Sequence, residues 1–377
     1  MRIVIIGAGP AGLYLALLLK RSGLDITLEV IEQNAPGSTF GFGVVFSENA
    51  LEFLKEDDPE IFGAITPELE MWRDIAVVHR GTRMRIDGVG FSAIGRLHLL
   101  QLLQKQARAN GIEISYNRQA EDLTAFADAD LIVGADGVGS LVRNSNEAAF
   151  GTSLSYLTNR FAWFGTTKVF EVLTQTFIET EFGALTAHHY RYSPQMSTFL
   201  VECNEKTFFA GGLDRMSEEE TCAVLERIFA GTLDGHPLIS NRSIWRQFPI
   251  IRNEHWFAGN TVILGDALHT AHFSIGSGTR LAIEDSIALA RAIRNHPGDM
   301  PAALSAFETQ RKPILAKLVN AANNSAAWYE NFSDHMVLPP YDFAMSYLSR
   351  TGRMDVERIR KMSPKFVAEY ERRGLSA

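Results

Sequence analysis

Cysteine is almost absent from this sequence. Only Cys203 and Cys222 occur, and neither their number nor their spacing fits a disulfide framework or a thiolate metal site, so a reducing, cytoplasmic setting is expected. There is no excess of positive charge. Thirty-six Lys and Arg stand against 44 Asp and Glu, a formal net charge of −8, which argues against nucleic acid or an anionic membrane as the main partner. Long apolar runs are lacking as well. The stretch Ile3 to Leu19 is interrupted by Gly7, Gly9, Pro10 and Gly12, and only Arg2 precedes it as a basic residue. A strand, a tight turn and a helix explain it better than an export signal or a membrane span. No internal repeat or low-complexity segment is visible. What remains is an ordinary globular composition, 46% hydrophobic and 21% charged over 377 residues, for which two interleaved domains are the expectation.

Arg2 to Ile6 reads as a buried strand, Gly12 to Arg21 as a helix ending at a left-handed Gly23, and Thr27 to Glu32 as a second strand. Together they form a βαβ unit, which belongs to a parallel sheet with helices on its faces. Arg73 to Gly90 is strand-like, with turns at Arg80-Gly81 and Asp87-Gly88, and Leu97 to Arg108 has helical leucine spacing. Ile112 to Tyr116 and Leu131 to Val133 read as short strands. From about Ser153 to Trp256, β-branched and aromatic residues with frequent turns predict an inserted antiparallel sheet. Thr261 to Leu264 returns to a buried strand, and a helix follows from about Gly278 to Asn295. The C-terminal part reads as helical, with breaks at Pro313, Pro339-Pro340 and Pro364. The expected organisation is a discontinuous nucleotide-binding domain (1–70, 91–152 and 258–325), a β-sheet substrate domain (71–90 and 153–257) and a C-terminal helical segment (326–377).

Three motifs carry chemistry. Gly7-Ala8-Gly9-Pro10-Ala11-Gly12 follows a strand and opens a helix, so a pyrophosphate can sit on the helix N-terminus where free N–H groups converge. Glu32, with Gln33 beside it, lies 20 residues beyond Gly12 at the end of the second strand, where a carboxylate accepts from ribose hydroxyls. The second motif runs from Gly134 through Asp136 and Gly137 to Arg143. The third is Gly265-Asp266-Ala267-Leu268-His269, followed by Gly276-Ser277-Gly278-Thr279 at the start of a helix. Taken singly, the second and third read equally well as strand-to-loop junctions with a capping Asp.

In this order and at these separations, the three motifs resemble the flavoprotein aromatic hydroxylases typified by p-hydroxybenzoate hydroxylase, over nearly the whole chain. The resemblance implies an α/β fold: a Rossmann-like FAD-binding domain with an inserted, mostly antiparallel β-sheet substrate domain and a helical C-terminus. It implies bound FAD, NADH or NADPH as a transient reductant, and O2 as co-substrate, with a ring hydroxylated by a flavin C4a-hydroperoxide. It places Gly7, Gly9, Pro10, Ala11, Gly12, Glu32, Gln33, Asp136, Gly137, Gly265 and Asp266 along the FAD. Arg96, in Arg96-Leu97-His98-Leu99, matches the Arg-x-x-Leu that opens a helix near the cofactor. Gly276, Gly278 and Thr279 would offer a helix N-terminus to the negative charge of reduced flavin. Phe40 to Ser47, which contains Val45, and His272 to Thr279 bear a closer resemblance to hydroxylases of salicylyl-CoA and anthraniloyl-CoA and of a violacein-pathway bis-indole. Phe273 stands where the wider family usually has proline, so the substrate mode of simple phenol hydroxylases does not carry over.

The expected partners are a small aromatic substrate, alternatively free or as a CoA thioester, and O2, in a monomer or homodimer. No metal is expected, because His269 and His272 have a two-histidine spacing that no carboxylate or cysteine completes into a zinc-like set. His272, just before the glycine turn, is the first candidate to touch substrate. His188 and Tyr190 share one face of a strand and are further candidates, with His189 on the other face. Phe46, Trp163 and Phe164 are candidates to stack on a ring. Arg83, Arg85, Arg160, Arg191 and Arg246 are available to CoA phosphates. Two other readings stand beside the thioester hydroxylase: a hydroxylase of an indole-derived metabolite, and a non-catalytic binding protein of this fold.

Overall fold

The structure, a computed structural model, describes residues 1–47 and 51–373. Its first sheet has six strands in the order Phe257–Ala258, Thr261–Ile263, Leu131–Gly134, Arg2–Ile6, Thr27–Ile31, Ile114–Ser115. All neighbours are parallel except the outermost pair, Phe257–Ala258 with Thr261–Ile263. Ile3, Val4 and Ile5 are all fully buried, as the central strand of a sheet covered on both faces requires. The helices Pro10–Arg21, Arg96–Ala109 and Gly278–Asn295 provide the cover. Because Arg2–Ile6, Leu131–Gly134 and Thr261–Ile263 lie side by side and parallel, the loops after them leave from one edge. This is where α/β sheets bind ligands.

The second sheet has eight strands. Its path runs Leu238–Ile239, Thr152–Thr166, Ser197–Cys203, Gly183–Arg191, Leu173–Thr180, Ile75–His79, Thr82–Ile86, and Arg246–Asn253 also pairs with Thr152–Thr166. Pairing is antiparallel throughout except between Ile75–His79 and Leu173–Thr180. Arg80 and Gly81 both have positive φ (49° and 71°), the two-residue turn whose twist matches a hairpin. A third sheet has three strands in the order Gly43–Ser47, Phe91–Gly95, Glu70–Trp72. Among the described residues no helix is long and apolar enough to cross a membrane.

The expected strand Ile112 to Tyr116 shrinks to Ile114–Ser115, which pairs only with Val30 and Ile31 at the sheet edge. Pro313 breaks nothing: one helix runs from Met300 to Glu330 through it. The proline costs the bond to the Thr309 carbonyl, but Thr309 and Pro313 are both on the exposed side of the helix, where solvent can replace it. Phe307, Arg311 and Leu315 hold the opposite side in the core. Pro340 and Pro364 each open a helix, Pro340–Ser349 and Pro364–Arg372, at the first position where a missing N–H costs nothing.

One buried carboxylate ties the long helices to the sheet edge. Asp285, 0% exposed, accepts from Arg311 Nε (2.9 Å), His269 Nε2 (2.7 Å) and the Gly265 N–H (3.3 Å). Arg311 also meets Glu284 at 2.8 Å, and Glu284 in turn meets Arg280 at 2.7 Å. Burial pushes the Asp285 carboxyl up, but His269 and Arg311 outweigh it and hold it below the usual carboxylate range. Replacing Arg311 by Met strands a charge in the core. We expect Arg311→Met to lose about 3–5 kcal/mol, read as a lowered urea midpoint with an unchanged slope.

Candidate active site

The three glycine-containing loops meet at the shared sheet edge. Gly7 has φ +102°, and a Cβ there would lie 2.3 Å from the Ala135 carbonyl oxygen; at Gly12 it would lie 2.0 Å from that of Gly7. These two glycines therefore pack the first loop against itself and against the second. Gly9 differs: a Cβ on it would meet nothing within 4 Å, and the same holds at Gly137 and Gly278. All three border a cavity of about 740 Å³, so their bare backbones form its cradle.

Two helices point their first turns into this cavity. Pro10–Arg21 begins after Gly9 and Gly278–Asn295 after Ser277, and neither has a side-chain cap. Their free N–H groups and dipoles are left for a ligand with negative charge. Pro10, Ala11, Gly276 and Thr279 also line the space. Gly276 sits at φ +61° with Val45 against it: an added Cβ would come within 2.9 Å of Val45 Cγ1. Gly265 is buried where Ala11 and Ala282 come together, so its role is to let the two helices approach.

The acidic residues divide. Glu32 accepts from the Ala8 N–H (2.9 Å) and the Asn34 N–H (2.8 Å), bracing the first loop from its flank, and Gln33 beside it is exposed. Neither lines the cavity. Asp136 Oδ2 accepts from the Leu141 N–H (2.7 Å) and Val142 N–H (3.3 Å), while Oδ1 is sealed and makes no hydrogen bond among the described residues. Burial raises its carboxyl. Asp266 is open to the cavity and surrounded by protein elsewhere; this crowding raises its carboxyl, against the pull of Arg96, which borders the same space. Arg143 knits the second loop to the third by donating to the Val138 carbonyl (2.6 Å) and the Ala267 carbonyl (3.2 Å).

The far wall is the second sheet. His188 and Tyr190 border the cavity, as do Thr198 and Leu200 opposite them. His189 turns to the other side, bonded to Thr176 Oγ1 at 2.9 Å and stacked on Phe199. Tyr190 is a fastener: its OH donates to the Gly43 carbonyl at 2.9 Å, and burial raises its phenol further out of reach of ionisation. His272 is not in the wall. It is 3% exposed, its Nδ1 meets Ser274 Oγ at 2.8 Å, and Ser274 continues to Ser325 Oγ (2.7 Å), to which Arg350 donates (3.0 Å). Phe273, in ring contact with His272 at 4.1 Å, is the residue that faces the cavity. His272, expected to touch substrate, is thus packed inward behind Phe273 and does not line the cavity.

Comparison with known proteins gives the family. The family model described as "FAD binding domain" matches residues 1–57 and 94–322. This chain is a member of the FAD-dependent aromatic hydroxylases. The hydroxylase is 39% identical to a salicyloyl-CoA 5-hydroxylase from a Streptomyces species over 361 residues, covering 93% of this chain and 70% of that protein. It is 36% identical to the 3-hydroxy-4-methyl-anthranilyl-[aryl-carrier protein] 5-monooxygenase of Streptosporangium sibiricum (89% and 90% covered). It is 33% identical to the protodeoxyviolaceinate monooxygenase of Chromobacterium violaceum (93% and 94% covered). In fold it matches the tetrameric 2-methyl-3-hydroxypyridine-5-carboxylic acid oxygenase, with TM-score 0.68, 19% identity, and 96% and 95% of the chains covered. The hydroxylase is thus an enzyme, and the reading as a non-catalytic binding protein falls. The bare glycine cradle, the two uncapped helices and the open Asp266 carboxylate fit FAD.

The hydroxylase has an aromatic box that sequence reasoning only partly found. Phe161, Phe248 and Phe273 meet at centroid distances of 4.9 to 6.5 Å, and Trp163 continues the wall. Phe164 is buried on the opposite face, and Phe46 lies in the core of the nucleotide-binding part. Strand alternation was the available signal: Trp163 facing the cavity puts Phe161 there and Phe164 away. Phe248 carried no signal, since its place follows from the pairing of Arg246–Asn253 with Thr152–Thr166.

Two outcomes test the site. Gly9 has φ −71° and ψ −179°, which any residue adopts, and its Cβ direction is empty. Gly9→Val should leave the urea stability of the apoprotein unchanged while weakening FAD binding at least about 100-fold, measured by flavin fluorescence on titration. His188 and His272 are each held by burial at a pKa of about 3. Each stays neutral in the fold but takes a proton once unfolded below about pH 6.5. Stability is therefore full above pH 6.5 and falls as pH drops towards 3, by about 1.4 kcal/mol per pH unit per histidine. His272→Gln should make the pH 6.5 to 4 decline shallower by one such proton, read from urea midpoints across that range.

Proposed function

We propose that this hydroxylase acts on the ring of an aromatic acyl thioester, with salicylyl-CoA and hydroxylation at its 5-position as the model reaction. The observation that carries this is the contrast between the two ends of the cavity. The inner part is the aromatic box of Phe161, Phe248 and Phe273, suited to a flat ring. The mouth carries Arg242 and Arg246, both exposed, and the exposed apolar side chains Tyr156 (55%) and Ile244 (51%). Arg242 lies over the Phe40 ring at 5.0 Å, and the Arg246 side chain has no ion-pair or hydrogen-bond partner among the described residues. On a protein of net charge −8, two such cations at one opening fit an anionic tail behind an apolar arm. Of the other arginines considered, Arg85, Arg160 and Arg191 are engaged by Asp74, Glu205 and Glu70, and Arg83 does not line the cavity. Two of the relatives above are named for thioester substrates, one on CoA and one on a carrier protein.

Within this reading, the cradle of Gly9, Gly137 and Gly278 and the N-terminus at Thr279 hold the FAD, with Asp136 and Asp266 beside it. Reduced by NAD(P)H, the FAD supplies an activated oxygen atom from O2. The chain's own work is positional. The aromatic box excludes water and orients the ring, and His188 stands on the wall as the neutral base nearest to hand. The test is substrate-stimulated NAD(P)H oxidation with salicylyl-CoA, free salicylate and indolic compounds. Salicylyl-CoA should stimulate most, and Arg242→Glu/Arg246→Glu should raise its KM about 10-fold with kcat little changed, each lost phosphate contact removing a charge-assisted bond. Stimulation by indoles alone would overturn the thioester reading.

A further inference from the structure

One face of the second sheet carries polar groups that the protein does not satisfy. In the strand registers Gln175 lies directly opposite His188, and Thr186 directly opposite Glu202. Thr186 and His188 are two apart on one strand, so all four share a face. It is the face of Phe161, which lies opposite Glu202 on the next strand. All four are buried. Among the described residues, both side-chain polar atoms of Gln175, Thr186 Oγ1, His188 Nε2 and Glu202 Oε2 have no hydrogen-bond partner, nor does Asn159 Oδ1 beside them.

Unpaired polar atoms in an interior are costly and scattered; a contiguous row of them marks a place that bridging water completes. Directly opposite side chains are about 5 Å apart and alternate ones on a strand about 7 Å, spans that one water covers. The row has two ends. His188 borders the cavity while its Nε2 is sealed among the row. At the other end Asn159 Nδ2 donates to Glu202 Oε1 (2.8 Å), and the Asn159 N–H donates to Glu330 Oε1 (2.9 Å). Glu330 Oε2 accepts from Thr158 at the molecular surface.

We propose that His188, Gln175, Thr186 and Glu202, with bridging water, form a path that carries the proton lost by the substrate's ring hydroxyl or amino group out to Glu330. The ring O–H or N–H bond breaks and its electron pair stays on the ring, raising electron density at the carbon to be hydroxylated. His188 takes that proton on its cavity side as it releases another from Nε2, so the imidazole remains neutral after each transfer. Glu202 likewise accepts one proton and passes one on, past Asn159 to Glu330 and solvent. The polar and titratable groups that act on Glu202 are Asn159, Glu330, Tyr329 and the adjoining Cys203; Arg350 acts on Tyr329 and on His188, and Arg160 on the adjoining strand turns away to Glu205. Burial raises the Glu202 carboxyl to about 8, with the Asn159 hydrogen bond opposing and Glu330 adding to it. Glu202 thus holds a proton near neutral pH and exchanges it readily.

The inference rests on ring hydroxylation, not on the thioester, so the test uses whichever compound of the panel above stimulates the FAD-loaded enzyme most. Glu202→Gln keeps shape and removes the exchangeable proton. It should lower kcat at pH 7 at least about 10-fold with KM within about two-fold, abolish the kcat inflection near pH 8 and enlarge the solvent deuterium isotope effect. Proton release to an indicator dye on substrate binding, followed by stopped flow, should slow in parallel. Thr186→Val, isosteric and one link along, should show the same isotope effect and slowed release even if Glu202→Gln folds poorly. A folded Glu202→Gln enzyme with wild-type kcat, pH profile and proton release overturns the path. No turnover by the wild type with any compound of the panel would instead remove the hydroxylase reading on which it stands.

Discussion

The site depends on a single carboxylate that never sees water. Asp285 receives a hydrogen bond from each of three directions: the loop that carries Asp266, the His269 ring just after it, and Arg311 from the helix Met300–Glu330. A buried ion pair of this kind adds little net stability over well-packed apolar residues, but removing one partner is severe, so its value lies in specifying one arrangement. Here that arrangement fixes the third glycine loop against the start of the helix Gly278–Asn295. The N-terminus of that helix and the Asp266 carboxylate can face one ligand only if the angle between loop and helix is held. Arg143 extends the same constraint to the second loop.

The two sheets contribute in opposite ways. The parallel sheet offers backbone: bare glycines, uncapped helix ends and little side-chain chemistry. The antiparallel sheet offers side chains, aromatic at Phe161 and Trp163 and polar at His188 and Glu202. They are joined through the strand Gly43–Ser47, which Thr198 and Tyr190 bind from the second sheet at 2.9 Å each and which packs through Val45 on Gly276 of the cofactor side. Tyr190 is thereby committed to holding the two halves in register.

Much of this was legible in the amino-acid order because it is local. Gly7 to Gly12 after an apolar strand, the Gly278 to Asn295 helix and the Arg80-Gly81 turn all encode themselves within a dozen residues. What escaped depends on which side of an element faces the protein. Pro313 reads as a break until its side of the helix is known to be solvent. His272 and Phe273 are adjacent, and nothing in the sequence says which one packing turns inward. Arg83, Arg85, Arg160, Arg191 and Arg246 look alike as letters; only their carboxylate neighbours, brought from distant segments, separate the engaged ones from Arg246. Glu202 and Gln175 gave no signal at all, since a lone Glu or Gln in a strand is ordinary until its surroundings are seen to leave it unpaired.

The alternation along Thr152–Thr166 has an evolutionary corollary. Phe161 and Trp163 line the cavity, while Ala162 and Phe164 belong to a separate apolar cluster on the reverse of the sheet. A lineage can therefore rewrite the odd-numbered letters to suit a new ring without disturbing the even-numbered ones that hold the sheet to its backing helices. Diversification of substrate and preservation of fold are inherited on the same strand as two nearly independent traits.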